Sequence, residues 1–193
     1  MLLGELLSGY RTDDPTEAAD VARLEELLET VGNPFRRAIP LHVTGSALIV
    51  HPDSGRVLLR WHERQRAWLH VGGHGDPGET DPIAIALREA REETGLTDLV
   101  PWPTADIVHV AIGPVPAKGD EPAHEHADVR YVLATASPDA ARPEKPGAPV
   151  RWLSVPEAYE VTAADNLRVT IARLESLLGL EGVGLRQPPR PVD

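Results

Sequence analysis

The stretch from Gly72 to Leu96 constrains this chain more than any other. It opens on the run Gly72-Gly73-His74-Gly75-Asp76-Pro77-Gly78-Glu79 and passes into an acidic segment with helical spacing. Asp81 is placed to cap a helix and Pro82 to take its first position, where a missing N–H costs nothing. Gly95 follows the last periodic residue and suits a left-handed C-terminal position. The spacing predicts a helix over 82–94 whose packing face is Ile83, Leu87, Ala90 and Thr94. Glu89, Glu92 and Glu93 stand at i, i+3 and i+4, so their carboxylates are expected to converge on another face.

Three neighbouring carboxylates repel one another unless a counter-charge joins them, and Mg2+ supplies one while preferring oxygen ligands. Alone, such a cluster reads more readily as a solvated acidic face neutralised by Arg88 and Arg91. The glycine run in front of it changes that reading. Together the two resemble the Nudix hydrolase signature, G-x5-E-x7-R-E-U-x-E-E-x-G-U, with U a bulky apolar residue. Gly73, Glu79, Arg88, Glu89, Glu92, Glu93, Gly95 and Leu96 match it, and Ala90 is a small occupant of the first apolar position. Eight residues rather than seven separate Glu79 from Arg88. The extra one falls around Thr80-Asp81-Pro82, ahead of the helix, and leaves the role of Glu79 open. The flanking chain is similar to the family from about residue 40 to 178.

The resemblance implies a Nudix-type α/β/α sandwich around a mixed β-sheet, the architecture that the alternation of strands with two long helices also predicts. It implies Mg2+-dependent, or Mn2+-dependent, cleavage of a nucleoside diphosphate linked to another moiety, or of a nucleoside triphosphate, by water attack on phosphorus. Glu89, Glu92, Glu93 and Gly73 are the expected metal site. Glu92, Glu93 and Arg88 are the expected catalytic residues, with Arg88 pairing a neighbouring glutamate and Glu92 or Glu93 as general base. Glu125 and Asp128 are outside candidates for the base. Substrate contacts are assigned to Arg60, His74, Glu79, His126, Asp128 and Arg130. The competing reading is a catalytically silent Nudix-like nucleotide-sensing or protein-interaction module.

With 193 residues the chain can bury a substantial core. It has no cysteine, so neither a disulfide framework nor a thiolate metal site is available. A formal net charge of −11 argues against a nucleic-acid polymer as partner, since phosphate contacts need Lys and Arg. The apolar start Met1-Leu2-Leu3 lacks the basic flank of a signal peptide, and no run approaches the roughly 18 apolar residues of a membrane span. A cytoplasmic enzyme acting on a small nucleotide-type molecule is the expectation, with a homodimer as a possibility.

Residues 1–33 read as a helical extension, 34–180 as the Nudix hydrolase domain and 181–193 as a flexible tail. In the extension, Asp14-Pro15-Thr16-Glu17 resembles a capping box, and Val21, Leu24, Leu27, Leu28 and Val31 form an apolar stripe. That stripe either packs on the core or serves as a dimer contact or lid. Leu41–Val50 and Arg56–Trp61 read as a hairpin, 67–71 as a short strand, and 105–112 and 124–133 as further strands. On the first of these, His42, Thr44 and Ser46 share one face, which lines a pocket or meets solvent. On the last, His124, His126, Asp128 and Arg130 share a face and are read as a pocket wall, Arg130 for phosphate. The loop 113–122 is a candidate for specificity, although Pro114 and Pro116 are weak indicators of substrate. Val150–Leu153 closes the strands, Ser154-Val155-Pro156-Glu157 is a second capping box, and Asp165–Leu178 is an amphipathic helix.

Overall fold

The computed structural model describes residues 3–179. The tail assigned to 181–193 lies outside the described residues.

The centre of the sheet is β1 (Leu41–His51), whose nine inner residues are all buried. It runs parallel to β7 (His124–Ala134), in a register that sets His42 opposite His126, Thr44 opposite Asp128 and Ser46 opposite Arg130. Its other edge pairs antiparallel with β2 (Arg56–His62) and β4 (Val71–His74). β3 (Ala67–Leu69) and β8 (Val150–Leu153) extend the sheet beyond β2, while β5 (Val100–Pro101) and β6 (His109–Val115) pair with β7. One parallel pair among antiparallel neighbours makes the sheet mixed, as the alternation predicts.

Helices cover both faces. On one, α3 (Pro82–Thr94) lies over β1, with Ile85, Ala86 and Ala90 fully buried beside Val43, Val71 and Tyr131. On the other, α4 (Val155–Val161) and α5 (Asp165–Leu177) cover Leu48, Val50, Val57 and Val132 with Ala158, Leu167, Ile171 and Leu174. The capping box at Ser154 forms, its amide donating to Glu157 at 2.7 Å. Close approach of α3 requires Gly45, because a Cβ there would stand 2.2 Å from the Pro82 carbonyl oxygen.

The ends of α3 follow the sequence reading: Asp81 accepts from the Ile83 amide and Gly95 has φ 68°. Its packing face does so in part: Ala90 and Thr94 are buried and Ile83 and Leu87 pack against the core, but the deepest residues also include Ile85 and Ala86. Pro82, Ile85, Ala86, Ala90, Glu93 and Thr94 are buried, and Ile83 and Leu87 are only half-buried. The segment Ile83-Ala84-Ile85-Ala86-Leu87 is apolar on every side, so periodicity could not choose which side faces the sheet.

The glycine run also begins as strand rather than loop. Gly72 and Gly73 pair with Ser46 and Gly45, and their lack of side chains lets β4 lie flat beneath α3. The strand read at 105–112 starts at His109 and continues to Val115, which shortens the loop after it.

α1 (Leu3–Gly9) and α2 (Pro15–Thr30) pack on the α3 side, where Leu3, Leu7, Leu24 and Leu27 join the core of Val43 and Tyr131. Asp14 caps α2, accepting from the Thr16 and Glu17 amides. Glu17 turns inward instead of completing a capping box. It accepts the Val110 amide at 2.9 Å and forms an ion pair with Arg173 of α5. Among the described residues no helix is long and apolar enough to cross a membrane.

Candidate active site

The end of β4 and the outer face of α3 meet around Arg88. Its guanidinium lies 3.0 Å from Glu79, 3.1 Å from Glu89 and 3.1 Å from Glu92, and donates to the His74 carbonyl at 2.7 Å. The additional residue before the helix has not detached Glu79. A turn in which Glu79 donates to the Asp76 carbonyl, and Asp76 in return to the Glu79 carboxylate at 2.8 Å, delivers that side chain to Arg88.

The expected convergence of the three helix glutamates is only partial. Glu89 and Glu92 flank Arg88, with Glu92 exposed and Glu89 half-buried. Glu93 falls on the packing face, 3.1 Å from Arg60 of β2, and accepts the Gly72 amide at 3.2 Å. Burial pushes the Glu93 carboxyl up to about 7, against the opposing charge of Arg60. Burial raises Glu89 too, with Arg88 opposing. Arg60 is held between Glu93 and Glu144, the latter at 3.3 Å.

Gly73 is where the strand meets the acidic helix. A Cβ there would lie 2.6 Å from Glu89 Oε1, so only glycine lets main chain and carboxylate approach this closely. Carboxylate and main-chain oxygens are the donor type a hard divalent cation such as Mg2+ or Mn2+ prefers, and here Arg88 and Arg60 occupy the carboxylates.

A cavity of about 360 Å3 opens on the other side of this glycine strand, lined among others by Ser46, His70, Gly72, Gly73, His126 and Asp128. Its volume is in the range that holds a nucleotide-sized ligand. The polar faces of β1 and β7 therefore line a pocket. Asp128 organises it, accepting from Thr44 at 2.9 Å, Ser46 at 2.6 Å and Arg130 at 2.7 Å, with His70 Nε2 at 3.0 Å. Burial opposes its charge, but Arg130 and these hydrogen bonds hold the carboxyl well below its usual range. A carboxylate so satisfied is a weak proton acceptor. Glu125, the other outside candidate, sits against Arg23 of α2 at 2.7 Å.

Arg130 is buried and donates onward to the Asn166 carbonyl at 3.0 Å and Thr170 at 3.1 Å, tying the pocket wall to α5. His74 and His126 meet Nε2 to Nε2 at 3.1 Å. Burial, reinforced by neighbouring histidines, pulls His74 down to about 3 and His126 to about 4, so both rings are neutral near pH 7. A roomier crevice of about 510 Å3 between α2, β6 and α5 is not lined by the glycine strand, and the α3 carboxylates line neither cavity.

His70 is a pocket residue that sequence reasoning missed. It occupies the break between β3 and β4, where strand alternation assigns no face, and its Nδ1 is buried without a hydrogen-bond partner among the described residues. His42 was visible only as a member of a polar strand face. Its pairing with His126 across β1 and β7 is the signal that brings it to the site.

A glycine strand pressed against an acidic helix in an α/β/α sandwich is the arrangement that the resemblance to Nudix hydrolases implies. The chain matches the NUDIX domain over residues 40–174 and belongs to that family; it is a Nudix hydrolase. It is 28% identical over 140 residues to a probable DHNTP pyrophosphohydrolase of Lactococcus lactis subsp. cremoris (strain MG1363), a match covering 72% of this chain and 82% of that protein. In fold it is similar to an Ap4A hydrolase of C. elegans, with TM-score 0.57, 20% identity and coverage of 71% and 97% of the two chains. It is likewise similar to the dihydroneopterin triphosphate pyrophosphohydrolase of E. coli, with TM-score 0.52, 18% identity and coverage of 72% and 95%.

Proposed function

We propose that this Nudix hydrolase is a Mg2+-dependent pyrophosphohydrolase of nucleotide-type small molecules, either nucleoside diphosphate derivatives or triphosphates. The observation that carries the reading is the close approach of Gly73, whose other side lines the cavity, to Glu89 of the acidic helix. Glu89, Glu92 and the Gly73 main chain would hold the cation, whose charge would neutralise the pyrophosphate and stabilise the transition state. Glu93, held beside the Gly72 amide by Arg60, takes the proton of the attacking water. A new P–O bond forms to the water oxygen as the anhydride P–O bond breaks, and the displaced phosphate leaves with its electron pair.

Arg88 positions Glu79, Glu89 and Glu92 without touching substrate. Arg60 plays the same part for Glu93, and Arg130 fixes Asp128. The substrate body occupies the cavity against His70, His74 and His126, with Gly113, Pro114 and Val115 forming the specificity wall.

The names of the relatives place dihydroneopterin triphosphate and Ap4A first on the panel to assay. Turnover of a panel compound that needs Mg2+ and disappears in Glu93→Gln supports the assignment. Full turnover by Glu93→Gln removes Glu93 from the catalytic set.

A further inference from the structure

Outside the glutamate cluster, four histidines converge at the edge of the pocket. His42 stands on β1, His74 ends β4, and His124 and His126 begin β7. Because β4, β1 and β7 are adjacent, three strands bring their rings to one point. One ligand nitrogen from each ring lies within 4.8 Å of all the others. Nε2 of His74 is 3.0 Å from that of His42 and 3.1 Å from that of His126, and Nε2 of His124 is 3.1 Å from that of His126. We propose that these four histidines form a closed site for a transition-metal ion of the Zn2+ class, distinct from the oxygen site on α3.

The protonation pattern supports a cation at the centre. His42 Nδ1 lies 2.9 Å from the Ile39 carbonyl and His124 Nδ1 lies 2.9 Å from the Pro122 carbonyl. A carbonyl only accepts, so in each ring Nδ1 carries the proton and Nε2 turns a lone pair inward. The chain of contacts His42–His74–His126–His124 then cannot be satisfied by neutral rings. His74 must donate to His42, which leaves His126 to accept from His74, and His126 then meets His124 lone pair to lone pair. A metal ion removes the conflict, since every Nε2 becomes a ligand. The two backbone carbonyls are the outer-shell partners that orient such rings.

The distances fit as well. Zn–N bonds of about 2.0–2.1 Å in a tetrahedron put the nitrogens about 3.3 Å apart, a few tenths of an ångström beyond the three direct contacts, and the remaining pairs lie within 4.8 Å. Four imidazoles and no thiolate or hard oxygen select Zn2+, Co2+, Ni2+ or Cu2+ over Mg2+. With four protein ligands no position is left for water, so the ion would be structural. Glu121, whose carboxylate is 4.0 Å from His124 Nε2, offers compensating charge from outside. The consequence reaches the active site, because the His74 carbonyl accepts from Arg88 and its neighbour Gly73 faces Glu89. The metal would pin the glycine strand to β1 and β7.

The test is a Co2+ titration of untagged protein stripped with EDTA, followed by visible absorption. Tetrahedral nitrogen ligation gives intense d–d bands, whereas cobalt among oxygen ligands is six-coordinate and nearly colourless. The expected result is saturation of the intense bands at one equivalent, bleaching by Zn2+, and more than about tenfold weaker uptake in His124→Gln. The same bands are expected, undiminished, in a Glu89→Gln/Glu92→Gln protein, which separates this site from the proposed Mg2+ site. Absence of the bands in the wild-type protein, or equal affinity in His124→Gln, would overturn the site and leave a cluster that shares an extra proton.

Discussion

Glu93 of α3 and Arg60 of β2 form an ion pair of 3.1 Å in which both side chains are largely shielded from water. The pair joins the acidic helix to the sheet and holds the carboxylate proposed as the base beside the Gly72 amide. Removing only the cation leaves a buried charge uncompensated. Arg60→Ala is expected to destabilise the protein by about 3 kcal/mol. Urea unfolding monitored by tryptophan fluorescence checks this; a loss below about 1 kcal/mol would show that Glu93 does not depend on Arg60.

Arg88 serves three carboxylates and a carbonyl with the donors of one planar group. An ammonium keeps the charge but cannot reach them together. Arg88→Lys should therefore lower kcat by about 10- to 100-fold, the usual cost of losing a residue that orients metal ligands. Steady-state kinetics across Mg2+ concentrations is the check, and an unchanged kcat would end the positioning role.

Two glycines should respond differently to the same methyl group. At Gly45 the added carbon meets the Pro82 carbonyl oxygen at 2.2 Å, backbone against backbone, so Gly45→Ala should cost about 1–3 kcal/mol of stability. At Gly73 it meets the Glu89 carboxylate, the far end of a flexible side chain, which can swing away. Gly73→Ala should keep most of the stability and lose activity. Melting curves and turnover measured together distinguish the two effects.

Glu17 links α2 to α5 through Arg173. Burial opposes its charge, but hydrogen bonds from Arg173, Thr12, Tyr10 and the Val110 amide outweigh it and lower its pKa from 4.5 to about 2. The unfolded chain therefore binds this proton at a higher pH than the folded one. The stabilisation is complete above about pH 5 and is lost as pH falls from about 4.5 toward 2, amounting to roughly 3 kcal/mol. Chemical denaturation of wild type and Glu17→Gln between pH 6 and pH 3 is the measurement. The stability difference between them should shrink in acid, and a constant difference would refute the linkage.

What was legible in the sequence follows from how local each signal is. Asp81, Pro82 and Gly95 mark the ends of α3 within a few residues, and the alternation from His124 to Leu133 identifies β7 and its polar face. Contacts across strands were not legible. Glu93 meets Arg60, and His70 meets Asp128, only because β2, β4 and β7 are assembled around β1. The strand character of Gly72 and Gly73 was hidden for a related reason, since residues without side chains carry no alternation. Glu17 shows the limit of motif reading: its spacing from Asp14 suggested a cap, and a cation about 150 positions away claimed the side chain instead.

The most direct test of the account is phosphate release, coupled to a phosphatase, from a panel containing dihydroneopterin triphosphate, Ap4A, nucleoside diphosphate derivatives and nucleoside triphosphates. Wild type and Glu93→Gln are run with Mg2+ and with EDTA. The account predicts turnover of at least one compound by the wild type with Mg2+, its abolition by EDTA, and a fall of about 100-fold or more in Glu93→Gln. Turnover that survives EDTA, or that Glu93→Gln sustains at the wild-type rate, would contradict it.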